Sequence, residues 1–370
     1  MVSFQPATRE QAIAYYTSHF HPIDLARVIG LSDIDRREIG WTWFPDPSRP
    51  PGKPFTRNHR FPSIKAITDA LPIIAPHKLY FGAVYAQPWT PFWSPDPKHF
   101  SRTIMNVPWD HNELHFDIDV NNSELMRRDG MCECGNSNER EERKKVCPAC
   151  FEIVKEAGIF LLETLDEDFG FRKSSSMIYF SGTRGIHVHY PEIKRLGSTD
   201  RDDNKIRHNL INYITIVKEK ENKDETTGDV DFTVNVGDAI GSETLRRRIG
   251  KLVYRWFFTK APQQTIDRSR FSEFAINVAR EKLSRGESIS EVLEELNARR
   301  AVTDRQKENM RKVVFEYRYP RYDGTPTYDT KKVIKVPLSI DCSTGCIVSR
   351  INDLESFQLD DIDHVLNHVH

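Results

Sequence analysis

The apolar positions of this chain follow two periods, and their interleaving predicts an α/β fold of the α+β kind. Runs rich in β-branched and aromatic residues, with alternation of period two, mark strands over 79–85, 113–120 and 177–180. Helical spacing marks segments near 9–19, 22–29 and 63–70. Phe151, Val154, Leu161, Leu162 and Leu165 recur at that spacing and predict an amphipathic helix that stops near Gly170. Proline-rich connections fall at 44–54 and 87–97. From 203 to 312 long, charged, helix-favouring segments take over, including 270–280 and 289–300, and predict a small α-helical subdomain or insertion. A strand over 313–317 returns the chain to the sheet. The expected organisation is a core made by 1–202 and 313–370, of mixed β-sheets flanked by helices, around an insertion at 203–312.

At 370 residues, with 38% hydrophobic and 29% charged side chains, the chain can bury a sizeable core, and none of its apolar runs is long enough to cross a bilayer. Its opening, Met1 to Pro6, lacks the basic-then-apolar signature of a secretory leader, so an intracellular home is expected. A net charge of −1 excludes a wholesale cationic protein, and a nucleic-acid partner would have to be held by local patches. Candidates are Arg246, Arg247 and Arg248 with Lys251 and Arg255, and Arg299 and Arg300 with Arg305, Lys307, Arg311 and Lys312. Each reads equally well as a solvated helix face.

Within 113–120, Asp117 and Asp119 alternate with Phe116, Ile118 and Val120. Both carboxylates leave one face of the strand while their neighbours anchor it in a core. Two like charges held there are costly unless a cation or a base answers them. Hard oxygen ligands suit Mg²⁺ or Mn²⁺, which clamp phosphate oxygens during in-line displacement, so phosphoryl or nucleotidyl transfer is expected. The alternative is a strand end facing solvent. A second acidic pair, Asp229 and Asp231, lies in a polar stretch after Gly228 and reads as a turn and strand start.

Ser181-Gly-Thr-Arg-Gly-Ile-His187 follows a predicted strand. Its glycines suggest a tight turn whose amides, with Arg184 and His187, would cradle a triphosphate. The competing reading is a hairpin with His187 and His189 on its surface. Cys132, Cys134, Cys147 and Cys150 form two short knuckles around a charged loop, a pattern that fits a structural, tetrahedral Zn²⁺ stapling 131–151. Cys342 and Cys346 read as ordinary thiols.

These pieces, in this order, resemble the small catalytic subunit of the archaeal and eukaryotic replicative DNA primases, over roughly residues 10 to 350. Arg37-Glu38 and Phe55-Thr-Arg57 resemble two of that family's pocket segments, Phe116-Asp-Ile-Asp119 its metal motif, and Ser181 to His187 its nucleotide motif. The stretch 323–345 resembles its third carboxylate block, with Asp323 as aspartate and Lys335 as the basic residue. The resemblance implies a primase catalytic fold in which Asp117, Asp119 and Asp323 hold two Mg²⁺ or Mn²⁺ ions. Ser181, Arg184, His187 and Lys335 would orient the triphosphate, with Glu38 and Arg57 in the pocket, and the cysteine knuckles match the family's zinc site. It further implies short RNA primers made from NTPs on single-stranded DNA, for replication. The implied partners are a large subunit bearing an iron–sulfur cluster, in a heterodimer, and a replicative DNA polymerase, with no membrane. The setting would be cytoplasmic if archaeal and nuclear if eukaryotic. The rivals are a repair or plasmid-type primase-polymerase preferring deoxynucleotides, and a non-catalytic, zinc-containing nucleic-acid-binding subunit. One position departs from the family: Asp341 stands where a histidine is usual, which is expected to weaken nucleotide affinity or alter its pH dependence.

Overall fold

The computed structural model describes residues 4–20, 33–45, 55–88, 107–120, 146–215, 221–223, 230–232, 248, 255–261, 263–306, 309, 322–329 and 332–369. In chain order its regular elements are α1 (Arg9–Ser18), β1 (Arg37–Thr42), β2 (Phe55–His59), α2 (Ile64–Ile74), β3 (Lys78–Tyr85), β4 (Trp109–His111), β5 (Leu114–Asp119) and α3 (Pro148–Phe169). They continue with β6 (Met177–Phe180), β7 (Gly185–Tyr190), α4 (Asp200–Ile214), β8 (Glu221–Lys223), β9 (Val230–Phe232), α5 (Arg255–Lys260), α6 (Gln263–Ser269), α7 (Glu273–Ser284) and α8 (Ile289–Ala298). The last are α9 (Thr325–Tyr328), β10 (Ile334–Lys335), β11 (Ile340–Asp341), β12 (Cys346–Ile347) and β13 (Arg350–Ile351).

Two antiparallel sheets organise the molecule. The first runs β2-β1-β3, with β10 paired to Phe81 and Tyr80 of β3 and β4 paired to Val84 and Tyr85 of the same strand. The second runs β13-β6-β7-β5, and β11 with β12 forms a separate small ribbon. The fold is therefore mixed α+β, as the interleaved periods predict.

Helix boundaries follow local chemistry. Thr8 and Gln11 form a reciprocal capping box at α1. Ser63 caps α2, which runs past Pro72 to Ile74 rather than stopping at 70. Proline forfeits one main-chain donor, but burial of Leu71 and Ile74 on the same stripe as Ile67 carries the last turn through. Cys147 and Pro148 open α3 three residues ahead of the predicted start, and Gly170, at φ 72°, closes it. The expected helix at 270–280 starts instead at Glu273, because Arg270 sits at φ 60° and Ser272 caps the turn that follows. The predicted helix at 22–29 and strand at 313–317 lie outside the described residues. No helix among those described is long and apolar enough to cross a membrane.

Two cores result. One gathers α1, α2 and the first sheet around Trp41, Phe81 and Leu71. The other buries Phe151, Leu161 and Leu165 of α3 against Phe116, Ile118, Ile186 and Val188 of the second sheet. Each such side chain contributes about 1.5–3 kcal/mol when fully buried. Phe257, Phe258, Ala275 and Val292, from α5, α7 and α8, belong to the same continuous cluster as α3. Tyr179 of β6 points the other way and joins the core of the first sheet, so the two sheets face one another. Between them lies a buried bidentate pair, Arg37 with Glu113, at 2.5 and 2.7 Å.

Candidate functional site

The site forms where β5 and β7 meet the first sheet. Leu114, Phe116 and Ile118 turn into the α3 core, which sends His115, Asp117 and Asp119 to the opposite face. Register across β5 and β7 sets His115 beside His189, Asp117 beside His187 and Asp119 beside Gly185. Of the second Asp-x-Asp segment, Asp231 lies in β9, which pairs with β8, and Asp229 lies outside the described residues.

Asp323 arrives from some 200 residues downstream, and the main chain fixes it there. Its N–H donates to the carbonyl of Asp117 at 3.2 Å, an isolated antiparallel bridge on the edge of β5. Tyr322 anchors the segment by donating its hydroxyl to Ala157 O of α3 at 3.0 Å, and the Thr327 hydroxyl donates to His115 O at 2.8 Å. The buried guanidinium of Arg207 ties the same corner together, donating to Asn112 O at 2.6 Å and Thr327 O at 3.2 Å. The three acidic residues expected together are thus neighbours in space.

Their proximity has an electrostatic signature. Burial, then the charges of Asp119 and Asp323, push the Asp117 carboxyl up to about 7, against an opposing pull from Lys335. Asp119 Oδ1 accepts from Arg184 Nε at 3.0 Å, and Asp323 Oδ1 accepts from Thr325 N at 2.9 Å. His187 Nε2 stands 3.6 Å from Asp117 Oδ1. Its imidazole is held well below its usual pKa by burial, His189 and Lys335, so it stays neutral. The surface-histidine reading fails here, since His187 and His189 are buried.

The loop after β6 closes on itself. Ser181 Oγ accepts from Gly185 N at 3.0 Å, and Ser181 N donates to Gly185 O at 2.9 Å. Glycine is required at both ends of this turn: Gly182 sits at φ 80°, and a Cβ on Gly185 would lie 2.3 Å from Ile118 O. From the facing sheet, Lys335 Nζ donates to Ser181 O at 2.7 Å. Glu38 is fully buried on β1 and accepts both arms of Arg57 from β2, at 2.8 and 3.1 Å. That pair stands on the first sheet, and Arg57 feels the charge of Asp329 next to α9.

By its chemistry the donor set suits a hard divalent cation: three carboxylates lie on neighbouring strand positions, and burial with the charges of Asp119 and Asp323 makes Asp117 resist ionisation. Among the described residues no group of three or more His, Cys, Asp or Glu side chains is already drawn together around a metal position. Arg184 and the Thr325 amide occupy carboxylate oxygens that a cation would take over. Cys147 and Cys150 are buried at the N-terminus of α3. Their expected partners, Cys132 and Cys134, lie outside the described residues.

Lys78 was missed by sequence reasoning. It stands at the start of β3, 3.1 Å from Asp341, and its one signal is a charge opening an otherwise apolar strand. Arg207 was missed as well, because a lone arginine in a charged helix gives no sign of being buried.

Acidic residues on one strand and a cationic glycine turn beside them, where two antiparallel sheets of an α+β fold meet, are the arrangement of a nucleotidyltransferase. Residues 116–353 match the family model described as DNA primase small subunit. The chain is 23% identical over 363 residues to the DNA primase small subunit PriS of Methanothermobacter thermautotrophicus, covering 96% of this chain and 95% of that one. It is 22% identical over 357 residues to PriS of Pyrococcus abyssi, covering 94% and 89%. With PriS of Thermococcus onnurineus it shares 27% identity over 216 residues, 58% of this chain but only about half, 52%, of the relative's length. The chain belongs to the DNA primase small subunit family.

Proposed function

We propose that this chain is the catalytic small subunit of a two-subunit primase, joining ribonucleotides into short primers on single-stranded DNA for replication. The relatives' printed name, a small subunit, supports a large-subunit partner. The reading extends to an iron–sulfur cluster in that partner, a replicative polymerase as the next enzyme, and a cytoplasmic setting. The observation that carries it is the main-chain bridge that sets Asp323 against Asp117, with the Asp117 carboxyl pushed up to about 7.

In the reaction a 3′-hydroxyl oxygen forms a bond to the α-phosphorus of the incoming NTP. The bond from that phosphorus to the bridging oxygen of the β-phosphate breaks, pyrophosphate leaves with the electron pair, and the hydroxyl proton passes to solvent. Two Mg²⁺ or Mn²⁺ ions held by Asp117, Asp119 and Asp323 would supply the Lewis acidity that such an in-line displacement needs. The chain's own residues orient the reactants. Arg184 and Lys335, with the turn amides after Ser181, face the triphosphate and offset charge that builds on its oxygens. Neutral His187 acts as a hydrogen-bonding group beside Asp117 and leaves the cation positions free of a competing positive charge. Glu38 and Arg57 brace the pocket wall. Cys132, Cys134, Cys147 and Cys150 would hold a structural zinc that staples the excursion before α3.

The test is primer synthesis on unprimed single-stranded DNA, comparing NTPs with dNTPs in the presence of Mg²⁺ or Mn²⁺ and after chelation. Divalent-dependent ribonucleotide primers that vanish in Asp119→Ala are expected. Deoxynucleotide products alone would favour a repair-type primase-polymerase. Absence of incorporation by the wild-type chain, with DNA binding retained, would favour a non-catalytic subunit.

A further inference from the structure

Asp341 is the position that departs from the family's histidine, and its surroundings give it a task. The side chain is fully buried on β11. One oxygen, Oδ1, accepts from Ser343 N at 3.1 Å and from the Ser343 hydroxyl at 2.5 Å. The other faces two ammonium groups, Lys335 Nζ at 2.6 Å and Lys78 Nζ at 3.1 Å. Lys335 uses the same ammonium to donate to Ser181 O, at the root of the glycine turn. The turn itself is pressed against Asp341: a Cβ added to Gly182 would lie 2.9 Å from the Asp341 Cβ. Three residues further on, the Thr344 hydroxyl donates to Gly182 O at 2.5 Å. A single short segment therefore grips the lysine, and also the loop that the lysine serves.

We propose that Asp341 is a positioning residue that pins Lys335 against the phosphate-binding turn and, by sharing its charge, sets how strongly that lysine attracts an incoming triphosphate. An imidazole at this position would meet phosphate directly as a donor. A carboxylate cannot, because it would repel the substrate, and its oxygens are already committed to Ser343 and to the two lysines. Burial would raise its pKa, but Lys335 and Lys78 outweigh burial and hold it down to about 2, so the carboxylate stays charged throughout the working range. The lysine is thereby fixed in direction and partly neutralised before any substrate arrives. Weaker attraction is exchanged for a defined geometry, which favours turnover over ground-state binding.

This inference rests on the primase reading of the site, and its test separates the two. Calorimetric binding of ATP and of inorganic tripolyphosphate to the full chain is measured beside steady-state primer synthesis. For Asp341→Asn, binding and KM tighten at least tenfold, a floor set by salt screening, because one unit charge removed several ångströms from a polyanion at an effective dielectric of about 20 exceeds that factor. Turnover falls by a similar factor, because the lysine loses its fixed direction. Asp341→Glu restores both constants toward wild type. In a Lys335→Met background the Asn substitution changes binding by less than about twofold, since the effect runs through that lysine. Should Asp341→Asn fail to fold, Asp341→Ser, which is also neutral and too short to reach a phosphate, carries the same expectation. Wild-type affinity in the neutral variants, or an unchanged effect without Lys335, overturns the inference and leaves the primase reading standing. A wild-type chain that binds neither probe overturns both.

Discussion

Replacing Asp117 with asparagine should make the cation-free protein more stable at alkaline pH while destroying its chemistry. Burial, Asp119 and Asp323 push this carboxyl from 3.8 to about 7. Folding therefore takes up a proton between those two values, so the contribution of Asp117 to stability is complete below 3.8 and is lost as pH rises through 7. At about 1.4 kcal/mol per decade, the ionised side chain carries a strain of at most ~4 kcal/mol. Its side chain keeps 28% of its surface exposed, so screening reduces that figure. A net gain of about 2 kcal/mol for Asp117→Asn is the working expectation. Urea unfolding in chelator provides the assay. With an m-value of about 3 kcal/mol/M, the variant's midpoint should lie roughly 0.7 M above wild type near pH 8, and the gap should close near pH 4. Added Mg²⁺ should stabilise wild type more than the variant, because binding to the folded state alone raises stability by mass action. A variant less stable than wild type near pH 8, or a gain that persists unchanged near pH 4, would refute the reasoning.

Other expectations follow from the packing. Gly185→Ala forces a methyl onto Ile118 O, so β5 and β7 must separate at the level of Asp119, and nucleotide binding should be lost with only part of the thermal stability. Glu113→Gln leaves Arg37 buried without its counter-charge and should cost about 3–5 kcal/mol in a denaturant titration, whereas the paired change Arg37→Met with Glu113→Leu should cost far less. The Glu113 carboxyl is held far below its ordinary value by the Arg37 charge and its hydrogen bonds, which outweigh burial, so wild-type stability should drop as pH falls into the acid range and the paired variant should lack that component. Cys147→Ser should release zinc from a protein purified with it, as read by metal analysis; stoichiometric zinc in that variant would remove Cys147 from the proposed ligand set.

The parts of this molecule that were legible in its sequence are those where one period dominates. The alternation around Asp117 and Asp119 survives into β5 because Phe116 and Ile118 need a core, and the helical stripe from Phe151 to Leu165 survives for the same reason. The placement of Asp323 was readable only through family resemblance. Nothing local in a segment ending Arg321-Tyr322-Asp323 says which strand edge it will join; Tyr322 packing beneath α3 and the Arg207 hub decide that. Helix ends were misplaced where a cap or a left-handed residue outvoted the apolar pattern, as at Arg270 and Ser272. The sequence flagged Asp341 as unusual, with weakened nucleotide affinity or an altered pH dependence as the expectation. Its partners, Lys78 from β3 and Lys335 from β10, became visible only once β3 and β10 were paired.

The single main-chain bridge between Asp117 and Asp323 has a bearing on biogenesis. Two of the three acidic residues are built early in synthesis, on a strand that can pair with β7 soon after it emerges, but the third is supplied by a stretch made much later. Closing so long a loop is entropically slow and is rewarded only when the distant partner docks. A ribosome-bound chain halted before that stretch would own a sheet and a glycine turn yet lack the third carboxylate. The acidic cluster is thus completed only after the stretch carrying Asp323 has been made and has docked on β5.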